Sequence, residues 1–313
     1  GVDGDGSAAI SGGTITINSS DDGVSVVNDL YILNGASVDV QTAYEGVEAG
    51  NIVIGATDTA APTVSVYTND DGFNAAKKNQ VTYVYANENE ESYTKTSYKT
   101  SDNSLTINDG TVTVKIADDK TQQVTLNNKG EDGQTYSFSA DGDGIDCNGS
   151  FYAYGGSILV VGGTSGGNGA IDRDDNFILG NGVTLFAIGS NGMVEGVTQA
   201  DQAYIETSNV AVTSGNTVKI SSSDGTELYS YTAGKSAGYI LFSSPSLISG
   251  SSYTLTNGST STSLTATTDA SAGGMGGGGT PPNGGTGGPG GSSGGPGGNS
   301  GGPGGNSSNF GGH

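Results

Sequence analysis

Carboxylates recur just before glycine in this chain, in a pattern that suits a hard cation. Asp21-Asp22-Gly23-Val24 is echoed by Glu45-Gly46-Val47, by Asp70-Asp71-Gly72-Phe73 and by Asp141-Gly142-Asp143-Gly144-Ile145-Asp146. Gly1-Val2-Asp3 opens the series, and Ala170-Ile171-Asp172 continues it with alanine in place of glycine. Ca²⁺ takes six to eight oxygen ligands in irregular geometry, which clustered carboxylates can supply. The alternative for any single aspartate is a turn cap, its side chain bonded to nearby backbone.

Carboxylates so far apart in sequence act together only if the fold stacks them. The apolar residue after each glycine or alanine steps by 22, 23, 26, 72 and 26 residues, and Met193 adds a step of 22. The gap of 72 fits roughly three further steps with insertions. Strictly alternating stretches precede the acidic turns, as in Thr14-Ile15-Thr16-Ile17, Ser37-Val38-Asp39-Val40, Thr63-Val64-Ser65-Val66 and Thr111-Val112-Thr113-Val114. Period two means a strand with one face in and one face out. Leu30 and Ile32 match Ile52 and Ile54 in a second strand, and glycine corners follow, such as Gly12-Gly13, Gly35, Gly155-Gly156 and Gly182. Short strands broken by glycine corners every 22 to 26 residues predict an all-β chain wound as a parallel β-helix.

Equivalent residues of neighbouring coils then lie about 4.8 Å apart. Asp22, Glu45 and Asp71 would form one column, and Asp3, Ser25, Glu48 and Asn74 another. Two carboxylates at that spacing repel by roughly 3 to 4 kcal/mol at an effective dielectric of 20. A divalent cation held between coils turns that repulsion into attraction.

Composition narrows the function classes. Ten Lys and Arg against 32 Asp and Glu leave a net charge of −22 in 313 residues, which excludes nucleic acid as a partner bound by phosphate neutralisation. The 57 glycines and the Tyr, Thr, Ser, Val and Ile content favour strands over helices. A single cysteine, Cys147, rules out an internal disulfide framework and reads as a small buried filler. No 18-residue apolar run is present, so no membrane span is expected. The start lacks a charged n-region and an apolar h-region, and we read a secreted, extracellular or cell-surface chain whose export signal has been removed.

The run DGDGID (141–146), followed by Asn148-Gly149-Ser150, Gly155-Gly156-Ser157, GNGAID (167–172) and IGSNGM (188–193), resembles the secreted, clostridial-type carbohydrate-binding proteins. The likeness covers most of residues 1–268. It implies a polysaccharide-lyase-like right-handed parallel β-helix that carries Ca²⁺ and binds plant-wall polysaccharide such as cellulose or pectin. Carried over position by position, the calcium roles fall on Asp21, Asp22, Glu45, Asp70, Asp71, Asp141, Asp143, Asp146 and Asp172. Members of that family run several more coils upstream, whereas Gly1-Val2-Asp3 begins inside one. An open coil exposes unpaired backbone, so head-to-tail stacking into a homopolymer is a second expectation.

The remaining segments are read as follows. Residues 1–200 form the helix, interrupted by insertions at 81–103 and 118–136. The first insertion carries Tyr83, Tyr85, Tyr93 and Tyr98, which serve either as a sugar-stacking platform or as part of a polar hairpin covering the helix. Residues 201–268 read as an antiparallel β cap, with strands at Tyr204–Val212, Val218–Ser221, Glu227–Tyr231, Tyr239–Phe242 and Tyr253–Leu255 and a hairpin turn at Asp224-Gly225; an independent binding module is the alternative. Residues 269–313 are low complexity, with GGPGGSS, GGPGGNS and GGPGGNS in succession at 287–307. They form a flexible spacer or pack against copies of themselves. Arg173 lies among Asp172, Asp174 and Asp175, where a lyase would need a base; an arginine so surrounded stays charged, and binding without catalysis is expected. The Thr-x-Thr strands invite an ice-binding reading, but Ser37, Asp39 and Ser157 break the threonine columns.

Overall fold

The computed structural model describes residues 1–56, 59–76, 80–87, 90–96, 103–117, 122–126, 134–138 and 140–270, with backbone alone described for 80–87, 90–96, 122–126 and 134–138. Every regular element among them is a strand, and no helix is long and apolar enough to cross a membrane. Gly1–Gly276 fall in one compact unit.

Two large sheets carry the architecture, one of eleven strands and one of eight. The chain passes from one to the other at intervals of about one repeat, laying down three parallel ladders. The first ladder pairs Val2–Gly4 with the start of Val24–Leu33, then with the start of Val47–Ile54, then Phe73–Ala75, Ile145–Cys147 and Ile171–Arg173. The second runs through Ala8–Ser11, the ends of the two long strands, Asn103–Ile107, Gly149–Ala153, Phe177–Leu179 and Gln199–Ala200. The third stacks Thr14–Asn18, Ser37–Thr42, Thr63–Thr68, Thr111–Ile116, Ser157–Val161 and Thr184–Gly189.

Alternation explains why these segments pair as they do. In the third-ladder strands alternate apolar members point inward and are almost fully buried, as at Val38, Val64, Val112, Ile158 and Leu185. They meet the inward residues of the first two ladders, Val24, Val47, Phe73, Ile145 and Phe151 among them, in one continuous core. Phe151 and Phe177, neighbours in register, stack with ring centroids 4.9 Å apart. Each such aromatic removes a large apolar area from water, worth about 2 to 3 kcal/mol of burial.

The glycine of each acidic turn is there for space. A Cβ built on Gly72 would lie 2.1 Å from Val114 Cγ1 and 2.5 Å from the Gly144 carbonyl oxygen. The backbone therefore approaches the core and the next rung more closely than any side chain permits.

Two expectations are corrected. Among the described residues the gap of 72 holds no further coils: Phe73 pairs directly with Ile145, and Asn74 with Asp146. The described residues between them give two antiparallel hairpins, Gln80–Asn87 with Glu90–Thr96 and Gln122–Leu126 with Gln134–Phe138, and supply Asn103–Ile107 and Thr111–Ile116 to the ladders. The described strands of these hairpins pair with each other and not with the rungs, so their length mimics the spacing of coils. The strand expected over Tyr204–Val212 ends at Thr207, because beyond it Val212 finds only a single bridge, to Ala237.

From residue 204 the pairing turns antiparallel. Tyr239–Ser243 closes the eight-stranded sheet against Thr184–Gly189, with Tyr204–Thr207 outside it. A separate four-stranded sheet follows the order Glu227–Thr232, Thr217–Ser221, Ser252–Asn257, Thr260–Thr265. Its Tyr229 ring stacks on Phe186 at 4.6 Å, in a second core that also holds Val161, Ile188 and Phe242. The outer face of the third ladder changes character at this point. Its first rungs present Thr16, Asp39, Ser65 and Thr113 in one row; the same row continues as Leu159 and Phe186 where the four-stranded sheet packs on it.

Candidate metal centre

The tight turns between the third and first ladders bring the acids together. Gly23, Gly46 and Gly72 donate their amides to the carbonyls of Glu45, Asp71 and Asp143, each at 2.9 Å. These bonds place Asp22, Glu45, Asp71 and Asp143 at equivalent positions of successive rungs. Beside them runs the outward row of the first ladder: Asp3, Ser25, Glu48, Asn74, Asp146 and Asp172. Of the residues carrying expected calcium roles, Asp22, Glu45, Asp71, Asp143, Asp146 and Asp172 lie on these two adjoining columns.

The tightest group is Asp22, Glu45 and Glu48, whose carboxylate oxygens lie within 4.8 Å of one another. All three are half-buried. The Ser25 hydroxyl donates to Glu48 at 3.2 Å, and Asn74 Nδ2 donates to Glu45 Oε2 at 3.2 Å. Asn74 Oδ1 is shut away from solvent with no hydrogen-bond partner, which leaves a neutral oxygen beside the carboxylates. Such a set of hard oxygen donors matches Ca²⁺ chemistry.

Electrostatics at this corner follows from burial first and crowding second. Loss of water raises Glu45 to about 8, with Glu48, Asp22 and Asp71 adding their repulsion. Asp143 is raised by burial to about 8, although the Gly169 amide that it accepts works the other way. Burial and then Asp71, Asp172 and Asp174 raise Asp146 to about 7. Asp71 rises to about 6 by burial, held back by the Asp143 amide that donates to its Oδ1 at 2.8 Å. Asp172 moves the same way, burial leading. A row of carboxylates that resist ionisation when no cation is present is what the like-charge columns require.

Other expected ligands stand apart. Asp21 and Asp70 lie one residue before the columns and are two rungs from one another, with Tyr44 between them on the backbone ladder. Asp70 is raised by burial, which the hydrogen bond from Tyr44 opposes. Asp141 faces a different neighbourhood: its Oδ1 accepts the amides of Thr164 at 2.8 Å and Ser165 at 3.3 Å. Burial alone would raise it, but the Ser165 hydroxyl and these amides outweigh that and hold it low.

Two members were missed. Glu48 was placed in a column but given no ligand role, although the Gly46-Val47-Glu48 alignment already put it beside Asp22 and Glu45. Glu195 closes the far end: its Oε2 accepts the Arg173 amide at 2.9 Å and sits 3.8 Å from the guanidinium. Its signal was the step of 22 to Met193, two residues upstream. Arg173 also donates to the Asp175 and Gly196 carbonyls at 2.8 and 3.1 Å, so the guanidinium is spent on the fold. Cys147 is buried in the core, which pushes its thiol up.

The tyrosines expected as a sugar platform divide in two. Tyr83 stands opposite Tyr93 in the first hairpin's backbone register, and Tyr85 opposite Glu91; Tyr98 lies outside the described residues. The described residues thus define an all-β chain with large parallel sheets and a carboxylate-lined corner. No family model, no curated protein and no solved structure matches the chain.

Proposed function

We propose that the chain is a secreted, non-catalytic, calcium-binding protein of plant-wall polysaccharide, wound as a right-handed parallel β-helix with an antiparallel cap. One observation carries the metal half: two adjoining columns of half-buried carboxylates run across successive rungs, with the Asp22, Glu45 and Glu48 oxygens within 4.8 Å of each other. Ca²⁺ seated there would neutralise charges that repel by several kcal/mol and clamp neighbouring rungs. At this partly open corner such an ion would also be reachable by a uronate carboxylate from outside. Polysaccharide binding rests on the likeness of the DGDGID, GNGAID and IGSNGM runs to the clostridial-type family. Arg173, the group read as a possible base, is committed to Glu195 and to two carbonyls, which supports binding over cleavage.

Pull-down on polygalacturonate and on insoluble cellulose, each with Ca²⁺ and with chelator, tests this function. Retention on polygalacturonate is expected with Ca²⁺ and lost with chelator. A chain retained on neither polymer under either condition is not a wall-polysaccharide binder.

A further inference from the structure

We propose that the outer face of the second ladder is a self-complementary interface through which two copies of the chain pair face to face. The register sets Tyr31, Val53, Thr106, Tyr152 and Ile178 in one outward row on consecutive rungs. Tyr154 stands beside the row, its ring stacked on that of Tyr152 with centroids 5.7 Å apart. Tyr31 and Tyr154 are 38% and 42% exposed, and none of these tyrosines and aliphatics belongs to either hydrophobic core. Single exposed apolar residues are ordinary, but a continuous apolar strip on a rigid sheet marks a contact surface.

The fold supplies its own comparison. On the third ladder the outward row is Thr16, Asp39, Ser65 and Thr113, and it turns to Leu159 and Phe186 where the four-stranded sheet packs on it. The second ladder carries the same apolar character along most of its height, so a protein surface is the cover that it fits.

Charge and symmetry point to a copy of this chain. The strand segments of this ladder hold one charged side chain, Asp29, whose carboxylate accepts Asn51 Nδ2 at 2.8 Å and the Ser7 hydroxyl at 3.4 Å. A second molecule of net charge −22 is repelled by the acidic columns of the first ladder and meets least repulsion here, whereas a cationic partner would settle on those columns. A two-fold axis at Thr106 lays the rungs in reverse order: Tyr31 of one copy meets Ile178 of the other, Tyr152 meets Val53, and Thr106 meets itself. Each ring of the row then faces an aliphatic side chain, which is what an interface between identical patches requires. From Ala9 to Gln199 the ladder rises roughly 29 Å at about 4.8 Å per rung, and its strands are about 16 Å across. Two such faces laid together bury on the order of 1,000 Å², enough for a specific, reversible dimer.

Sedimentation velocity of the full chain in chelator, from micromolar to near-millimolar concentration, tests this independently of Ca²⁺ at the acidic corner. The expected result is a reversible monomer–dimer equilibrium that Tyr152→Glu weakens at least about tenfold, with far-ultraviolet dichroism unchanged. Cross-linking gives a positive readout, because Cys147 is buried and does not compete. A short bismaleimide should join Thr106→Cys chains into a covalent dimer and leave Thr111→Cys chains, altered at an exposed position of the third ladder, unjoined. A native chain that stays monomeric, a dimer indifferent to Tyr152→Glu, or equal cross-linking of the two cysteine variants overturns the proposal. A series of ever larger species that Tyr152→Glu leaves intact assigns association to head-to-tail stacking and overturns it as well. So does a monomer whose retention on cellulose is lost with Tyr152→Glu, which gives the face to glycan instead.

Discussion

Withdrawing calcium while raising pH should expose the energy stored at the acidic corner. Glu45, Asp71, Asp143 and Asp146 all have folded-state pKa values above those of an unfolded chain, at about 8, 6, 8 and 7. In the metal-free fold these groups hold protons that the unfolded chain releases, so their contribution to stability is fully present below about pH 4 and is lost as pH rises through 6 to 8. For Asp146, the rise from 3.8 to about 7 corresponds to roughly 4 kcal/mol at about 1.4 kcal/mol per pH unit. Crowding is shared among neighbours, so the group contributions do not add. At about 2 to 4 °C per kcal/mol for a chain of this size class, the metal-free melting temperature should fall by roughly 10 °C between pH 5 and 8. Ca²⁺ at a hundredfold excess over Kd should return about 2.7 kcal/mol per site and flatten the profile. Differential scanning calorimetry across that pH range, with chelator and with millimolar CaCl₂, reads both effects. A metal-free profile that stays level or rises toward pH 8, or one indifferent to Ca²⁺, would refute the stacking of these carboxylates.

Two further outcomes bear on the same corner. Glu48→Gln removes one charge from the closest trio and should weaken Ca²⁺ binding at least about tenfold in a terbium-competition titration, while leaving the far-ultraviolet dichroism unchanged. Gly72→Ala drives a methyl into Val114 and the Gly144 carbonyl and should destabilise the chain by about 3 kcal/mol or more in urea unfolding; a neutral result would mean the turn is looser than described.

Much of this was readable in the sequence because a stacked fold writes its register as a period. Gly-apolar-oxygen triplets fix the first ladder, and the structure pairs Val2, Val24, Val47, Phe73, Ile145 and Ile171 as their alignment required. By length alone the gap between Phe73 and Ile145 fits three further steps, but length does not distinguish extra rungs from inserted segments such as those read at 81–103 and 118–136. Asp21 and Asp70 show a second limit: adjacent carboxylates look equivalent in sequence, yet a one-residue offset puts Tyr44 between them.

The direct pairing of Phe73 with Ile145 makes one rung unusually permissive. Its neighbours close over it whether the chain returns after two dozen residues or after 72, and tripling such a loop adds only about 1 kcal/mol of closure entropy. Evolution, or an engineer, can thus exchange whole decorations at this level as cassettes, altering what the molecule displays sideways without disturbing the column that holds it up.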